Sequence, residues 1–184
     1  MKNHCDQNIS FYYYGQEHLI LNVYKYIKGQ IEQNNFVFLY GDDNIINMLN
    51  KNLNSNEQDM VGKIELDRFV INAVSPVSDL NNMKEHIDFL NENGFWGGVI
   101  VLDAAFLIEK IGEVNFLEYI KTLSNICRDN NLNIMTCYDF SDYINRGKKI
   151  NEEVIKASYL HHDYRLFANK ILDSEKFNIY NNLA

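Results

Sequence analysis

The segment from Ile9 to Asp43, ISFYYYGQEHLILNVYKYIKGQIEQNNFVFLYGDD, constrains the fold more than any other part of the chain. It reads as strand, turn, helix, strand. Between Glu17 and Gln33 the apolar residues Leu19, Ile20, Val23, Tyr26, Ile27 and Ile31 recur at the three-and-four spacing of a helix with one buried face. The run Phe36-Val37-Phe38-Leu39-Tyr40 that follows is apolar at every position. A strand apolar on both faces suits the centre of a parallel sheet covered by helices on each side.

The rest of the chain repeats the alternation. The Gly41-Asp42-Asp43 turn opens a helix over Asn44 to Leu53, with Asp43 as its N-cap, and Asn54 to Asp59 reads as a polar loop. A strand is expected at Arg68 to Val74, then the Ser75-Pro76-Val77-Ser78 turn and a helix from Asp79 to Asn93, capped by Ser78 and stopped by Gly94. Gly97-Gly98 leads into Val99-Ile100-Val101-Leu102-Asp103. A helix over Val114 to Asn130 presents Phe116, Leu117, Ile120, Leu123, Ile126 and Cys127 inward, and the strand Leu132 to Tyr138 ends at Asp139. Asn151 caps a short helix reaching Tyr159, and His161-His162-Asp163 precedes a terminal strand, Tyr164 to Ile171. Strands joined by helices of this length predict right-handed βαβ units. The expected class is α/β, a mostly parallel central sheet flanked by helices.

With 184 residues, one proline and no Gly/Ser-rich or charged linker, residues 1–184 read as one domain. Hydrophobic residues make up 46% of the chain, which places it among ordered globular proteins. The formal net charge of −8 and the scattered Lys and Arg argue against direct nucleic-acid binding; Arg146, Lys148 and Lys149 form the one local basic cluster. Cys5, Cys127 and Cys137 lack metal-site or disulfide spacing, and the last two read as small core residues. No apolar run approaches a membrane span and the N-terminus carries no apolar signal region, so the expected location is the cytoplasm.

Ligands of parallel α/β sheets sit beyond the carboxyl ends of the strands. That rule selects the loops at Tyr13 to Glu17, Gly41 to Asp43, Ser75 to Ser78, Asp103 to Phe106 and Tyr138 to Phe140. The first occupies the place of a phosphate loop, yet Tyr14-Gly15-Gln16-Glu17-His18 has one glycine, no Gly-Lys-Ser/Thr, and a carboxylate. Asp103 after Val-Ile-Val-Leu has the form of a magnesium-holding acid in nucleotide hydrolases, although a turn acid capping a helix accounts for it better. The same applies to a divalent-metal cluster of Asp42, Asp43, Asp103 and Asp139. His4-Cys5-Asp6 and His161-His162-Asp163 are the other ligand-like groups, and of the adjacent histidines one is expected buried and hydrogen-bonded, the other exposed. Neither a nucleophile elbow nor a cofactor motif is present. The candidate ligand-binding residues are Tyr13, Tyr14, Gly15, Glu17, Gly41, Asp42, Asp103, Tyr138, Asp139 and His161, with no catalytic residue and no metal ligand among them.

Three segments carry a family likeness. Phe116-Leu117-Glu118-Tyr119 through Leu123, then Leu132-Asn133-Ile134-Met135-Thr136-Cys137-Tyr138-Asp139, a helix, a His at 161 or 162 and a final strand, resemble the methanogen/methylotroph sensory (MEDS) domain. Ile9-Ser10-Phe11-Tyr12-Tyr13 and the helix ending Tyr26-Ile27-Lys28-Gly29-Gln30 are similar to that family's opening. Cys137-Tyr138-Asp139 lacks the residue that usually separates Cys from Tyr, and Ile120 stands where the family carries an acid. The resemblance implies a RecA/KaiC-like three-layer sandwich without a standard phosphate loop. It also implies a non-enzymatic sensor of a small organic molecule, coupled to a histidine kinase or transcription regulator, and leaves self-association open. A divergent ATPase using Asp103 and a pocketless protein-interaction module are the competing readings.

Overall fold

The computed structural model describes residues 7–64, 76–130, 132–147 and 149–174, without the side chains of residues 76–83 and 126. The expected strand at Arg68 to Val74, Ser75, His4-Cys5-Asp6, Lys148 and the Ile126 side chain lie outside the described residues.

The strands are β1 (Asn8–Tyr13), β2 (Asn35–Tyr40), β3 (Val61–Lys63), β4 (Gly97–Asp103), β5 (Leu132–Asp139), β6 (Tyr164–Phe167) and β7 (Lys170–Asp173). The helices are α1 (Gly15–Ile31), α2 (Asp43–Lys51), α3 (Ser55–Gln58), α4 (Pro76–Glu92), α5 (Ala104–Ile111), α6 (Glu113–Asp129), α7 (Phe140–Ile144) and α8 (Glu152–His161). The strands form one sheet in the order β3-β2-β4-β5-β1-β6-β7. Every neighbouring pair is parallel except β6 and β7. The α/β class with a mostly parallel sheet is therefore as the sequence predicts.

Period-2 alternation sorts the strand residues into two cores. On one face Ile9, Phe11, Val37, Leu39, Val99, Val101, Met135 and Cys137 pack with Leu19, Val23 and Ile27 of α1 and Ile46 and Leu49 of α2. On the other, Phe36, Phe38, Ile100, Leu102, Ile134 and Tyr138 meet Leu90 of α4, Leu107 of α5, Phe116, Ile120, Leu123 and Cys127 of α6, and Val154 of α8. This is a three-layer sandwich. Both described cysteines are buried core residues, as expected. No helix among the described residues is long and apolar enough to cross a membrane.

Several elements depart from expectation. Helix α2 starts one residue early because Asp42, not Asp43, accepts the Asn44 N–H at 2.8 Å, which frees Asp43 to pair with Lys63 at 2.6 Å. The polar stretch read as a loop holds α3, a single turn closed by a capping box between Asn54 and Glu57. Helix α4 begins at Pro76, whose fixed φ suits a first helical position, so Pro76-Val77-Ser78 form its first turn and Ser78 is not its N-cap. Its end at Gly94, with φ 73°, agrees with the sequence reading. Helix α5 was not among the elements expected, although Asp103 was read as a helix-capping acid and does cap it. The terminal strand is instead a β6–β7 hairpin, turned by Ala168 and Asn169 at φ 48° and 62°, the positive values of a two-residue hairpin turn.

Candidate functional site

The chain leaves β2 for β3 over the α1/α2 face and leaves β4 for β5 over the opposite face. The strand order thus reverses between β2 and β4, and their carboxyl ends, Gly41 and Asp103, flank the crevice where such sheets bind ligands. The two ends are close: a methyl at Gly41 would stand 3.3 Å from Asp103 Cβ. The cleft between them, lined by Leu39, Gly41, Ile45, Leu49, Val101 and Asp103, has a volume of about 30 Å³. That is room for a water molecule, well below the several hundred Å³ of organic-ligand pockets.

Asp103 caps α5, accepting the N–H of Ala105 at 2.9 Å and of Phe106 at 3.3 Å. Its carboxyl is pushed up to about 6, chiefly by burial and further by Asp139, against the opposing pull of those two N–H groups and Lys149. Asp139, beside it at the end of β5, caps α7 through the N–H of Ser141 (2.9 Å) and Asp142 (3.3 Å). Tyr13, buried at the end of β1, completes the group. Burial first, then Asp103, Asp139 and Asp142, hold its hydroxyl protonated far above the ordinary tyrosine range. Asp142 organises the loop behind α7, where its carboxylate accepts the N–H of Lys149 (3.1 Å) and Ile150 (2.8 Å).

Two N–H groups of the β1–α1 turn are engaged by side chains, one from α7 and one from α1. Gly15 adopts φ 70°, a conformation that explains why the turn's one glycine stands there. Its N–H is bound by Ser141 Oγ at 3.1 Å, and the Tyr14 N–H by His18 Nδ1 at 3.1 Å. Tyr14 is 54% exposed, with its ring 5.3 Å from that of Phe140 in an edge-on contact. Glu17 lies on the exposed first turn of α1.

Tyr13, Tyr14, Gly15, Gly41, Asp42, Asp103 and Asp139 therefore share the carboxyl edge, with Glu17 at its rim. Two candidates do not. Tyr138 points to the opposite face from Cys137 and Asp139, deep in the second core, with its hydroxyl 2.7 Å from His162 Nε2. His161 lies at the amino edge, where its carbonyl accepts from the Asn8 side chain. Of the adjacent histidines, His162 is the buried, hydrogen-bonded one, as alternation predicted for one of the two. His18, Ser141 and Asp142 escaped the sequence reading. The Asp-Phe-Ser-Asp run at 139–142 signals a capped helix, but nothing in it signals contact with Gly15.

Among the described residues no group of three or more His, Cys, Asp or Glu side chains is placed to hold a metal ion. Helix N-termini are the usual anion sites of this edge. Here those of α2, α5 and α7 already carry a carboxylate of the chain itself, from Asp42, Asp103 and Asp139. In comparisons with known proteins, no family model matches the chain, and a search of curated proteins gave no significant match.

Proposed function

We propose that the chain is a non-enzymatic sensory or regulatory domain in signal transduction, of the MEDS-like kind, that acts through contacts at the carboxyl edge of its sheet. The observation that carries this reading is that three helix N-termini at that edge are capped by the chain's own carboxylates, α1 alone of the four lacking a side-chain cap. A nucleotide phosphate needs free N–H groups and positive charge, whereas Tyr14 and Gly15 have their N–H groups engaged and three helix N-termini hold carboxylates. A phosphate there would face Asp103 and Asp139.

The narrow cleft favours a partner protein over a small organic molecule as the bound species, since a volume of about 30 Å³ cannot enclose the latter. A histidine kinase or transcription regulator fits the role that the family likeness implies. Mg-ATP should neither raise the melting temperature nor be hydrolysed above background, with wild type and Asp103→Ala indistinguishable. Turnover abolished by Asp103→Ala would replace this reading with a divergent ATPase. A panel of small organics screened by thermal shift separates the two ligand classes, because a bound ligand stabilises by mass action.

A further inference from the structure

A buried polar relay at the amino edge fastens the C-terminal hairpin to the sheet. His162, between α8 and β6, is 3% exposed. Its Nδ1 lies 2.6 Å from Asn8 Oδ1 and its Nε2 2.7 Å from the Tyr138 hydroxyl. Asn8 Nδ2 donates to Ser124 Oγ at 2.8 Å and to the His161 carbonyl. A carbonyl oxygen only accepts, so the last bond fixes the Asn8 amide and leaves Oδ1 facing the imidazole. His162 Nδ1 therefore carries the proton, and Nε2 accepts from Tyr138. The neutral ring is fully satisfied. An imidazolium would put a second N–H on Nε2, so the Tyr138 hydroxyl would have to turn, giving up its donation to the ring to accept from it.

The surroundings offer a positive charge no compensation. Burial is the main force holding the imidazole down at about 3, and His161 on α8 and Arg165 on β6 add to it. The α6 side presents Ser124, β5 presents Tyr138, whose hydroxyl burial keeps protonated, and β1 presents Asn8. The neighbouring carboxylate, Asp163, turns outward to Arg128 at 3.6 Å.

The backbone ladder joining the hairpin to the sheet is short, although Leu166 is buried in the first core, Arg165 lies over the Tyr12 and Tyr159 rings and the Ser10 hydroxyl donates to the Tyr164 carbonyl at 3.3 Å. β6 pairs with β1 only at Ile9↔Tyr164 and Ser10↔Arg165, supplemented by the Asp163 N–H to the Asn8 carbonyl, whereas β1 pairs with β5 from Asn8 through Tyr13. We propose that the Ser124–Asn8–His162–Tyr138 relay is a proton-operated latch. The neutral ring holds the β6–β7 hairpin closed over the edge of β1; proton uptake opens it, while the sheet from β3 to β1 stays folded.

Native-state hydrogen exchange on the full chain between pH 7 and 4.5 tests this, with rates converted to protection factors. Opening takes up one proton, so protection in Tyr164–Phe167 and Lys170–Asp173 should fall by up to about tenfold per pH unit below about 6.5, while β4 and β5 keep theirs. His162→Gln, which retains a donor and an acceptor but does not titrate, should flatten that dependence. The proposal is overturned if hairpin and β4/β5 amides lose protection together, or if the slope survives in His162→Gln. Should that variant fail to fold, nitrogen-15 shifts of the wild-type imidazole decide: a neutral Nδ1–H tautomer throughout is expected, and an ordinary histidine titration in the native state refutes the latch.

Discussion

Asp103→Asn should stabilise the protein, and only above the acid range. The carboxyl titrates at about 6 against an ordinary 3.8, a difference that corresponds to about 3 kcal/mol of ionisation cost. The native state thus binds a proton more tightly than the unfolded chain. Its penalty is fully present above about pH 6, shrinks as pH falls, and is gone below about 4. The amide introduced by the substitution would keep an oxygen acceptor for the Ala105 and Phe106 N–H groups, so the cap on α5 survives while the charge beside Asp139 is removed. Because the residue is half-buried, solvent returns part of the cost, and the expected gain is about 1–3 kcal/mol at pH 7.5. With a urea slope of about 2 kcal/mol/M this moves the midpoint upward by about 0.5–1.5 M. Urea melts of wild type and variant at pH 4, 5, 6 and 7.5 measure it. A variant no more stable than wild type at pH 7.5, or a difference that does not change with pH, would show that Asp103 ionises at no cost and that burial is not what raises it. Asp103→Ala is the control: it removes charge and cap together, and loss of the cap costs about 1 kcal/mol.

Gly147→Ala should destabilise by about 2 kcal/mol in the same assay, because its methyl would stand 1.7 Å from Asp142 Oδ1, and that carboxylate is pinned by the Lys149 and Ile150 N–H groups. Cys127 and Cys137 should resist alkylation in the native protein at pH 8 and react on unfolding, since burial pushes the Cys127 thiol up to about 12 and Cys137 well above its ordinary value. Mass spectrometry of peptides from native and denatured protein reads this directly, and rapid native labelling of either residue would contradict their core placement.

What was legible in the sequence followed from local rules. The apolar runs at Phe36–Tyr40 and Val99–Leu102 suit central strands and form them, and Asn151 caps α8 through the Val154 N–H as its position foretold. Misses came where a local signal was short or atypical. Helix α5 spans only Ala104–Ile111, and its apolar start right after a strand blurs the boundary. The hairpin turn uses Ala168-Asn169 rather than Asn-Gly, so nothing announced a reversal. Asp42 and Asp43 are equally good caps by type, and only the backbone of the turn, in which Asp42 is extended and Asp43 already helical, shows which one caps α2.

The sequence by itself determined the class of the fold and the absence of a Gly-Lys-Ser/Thr motif from the β1–α1 turn, because hydrophobic period and the residue types of one turn are local properties. Only the tertiary structure decided which residues meet. The order β3-β2-β4-β5-β1-β6-β7 brings Tyr13, Asp103 and Asp139 to one edge, although β1 is far in sequence from β4 and β5. Strand pleat sends Tyr138 to the opposite face from its neighbour Asp139, and the start of β6 beside Asn8 carries the histidine pair to the far edge. Strand order and register depend on packing across the whole sheet, which no window of the chain contains.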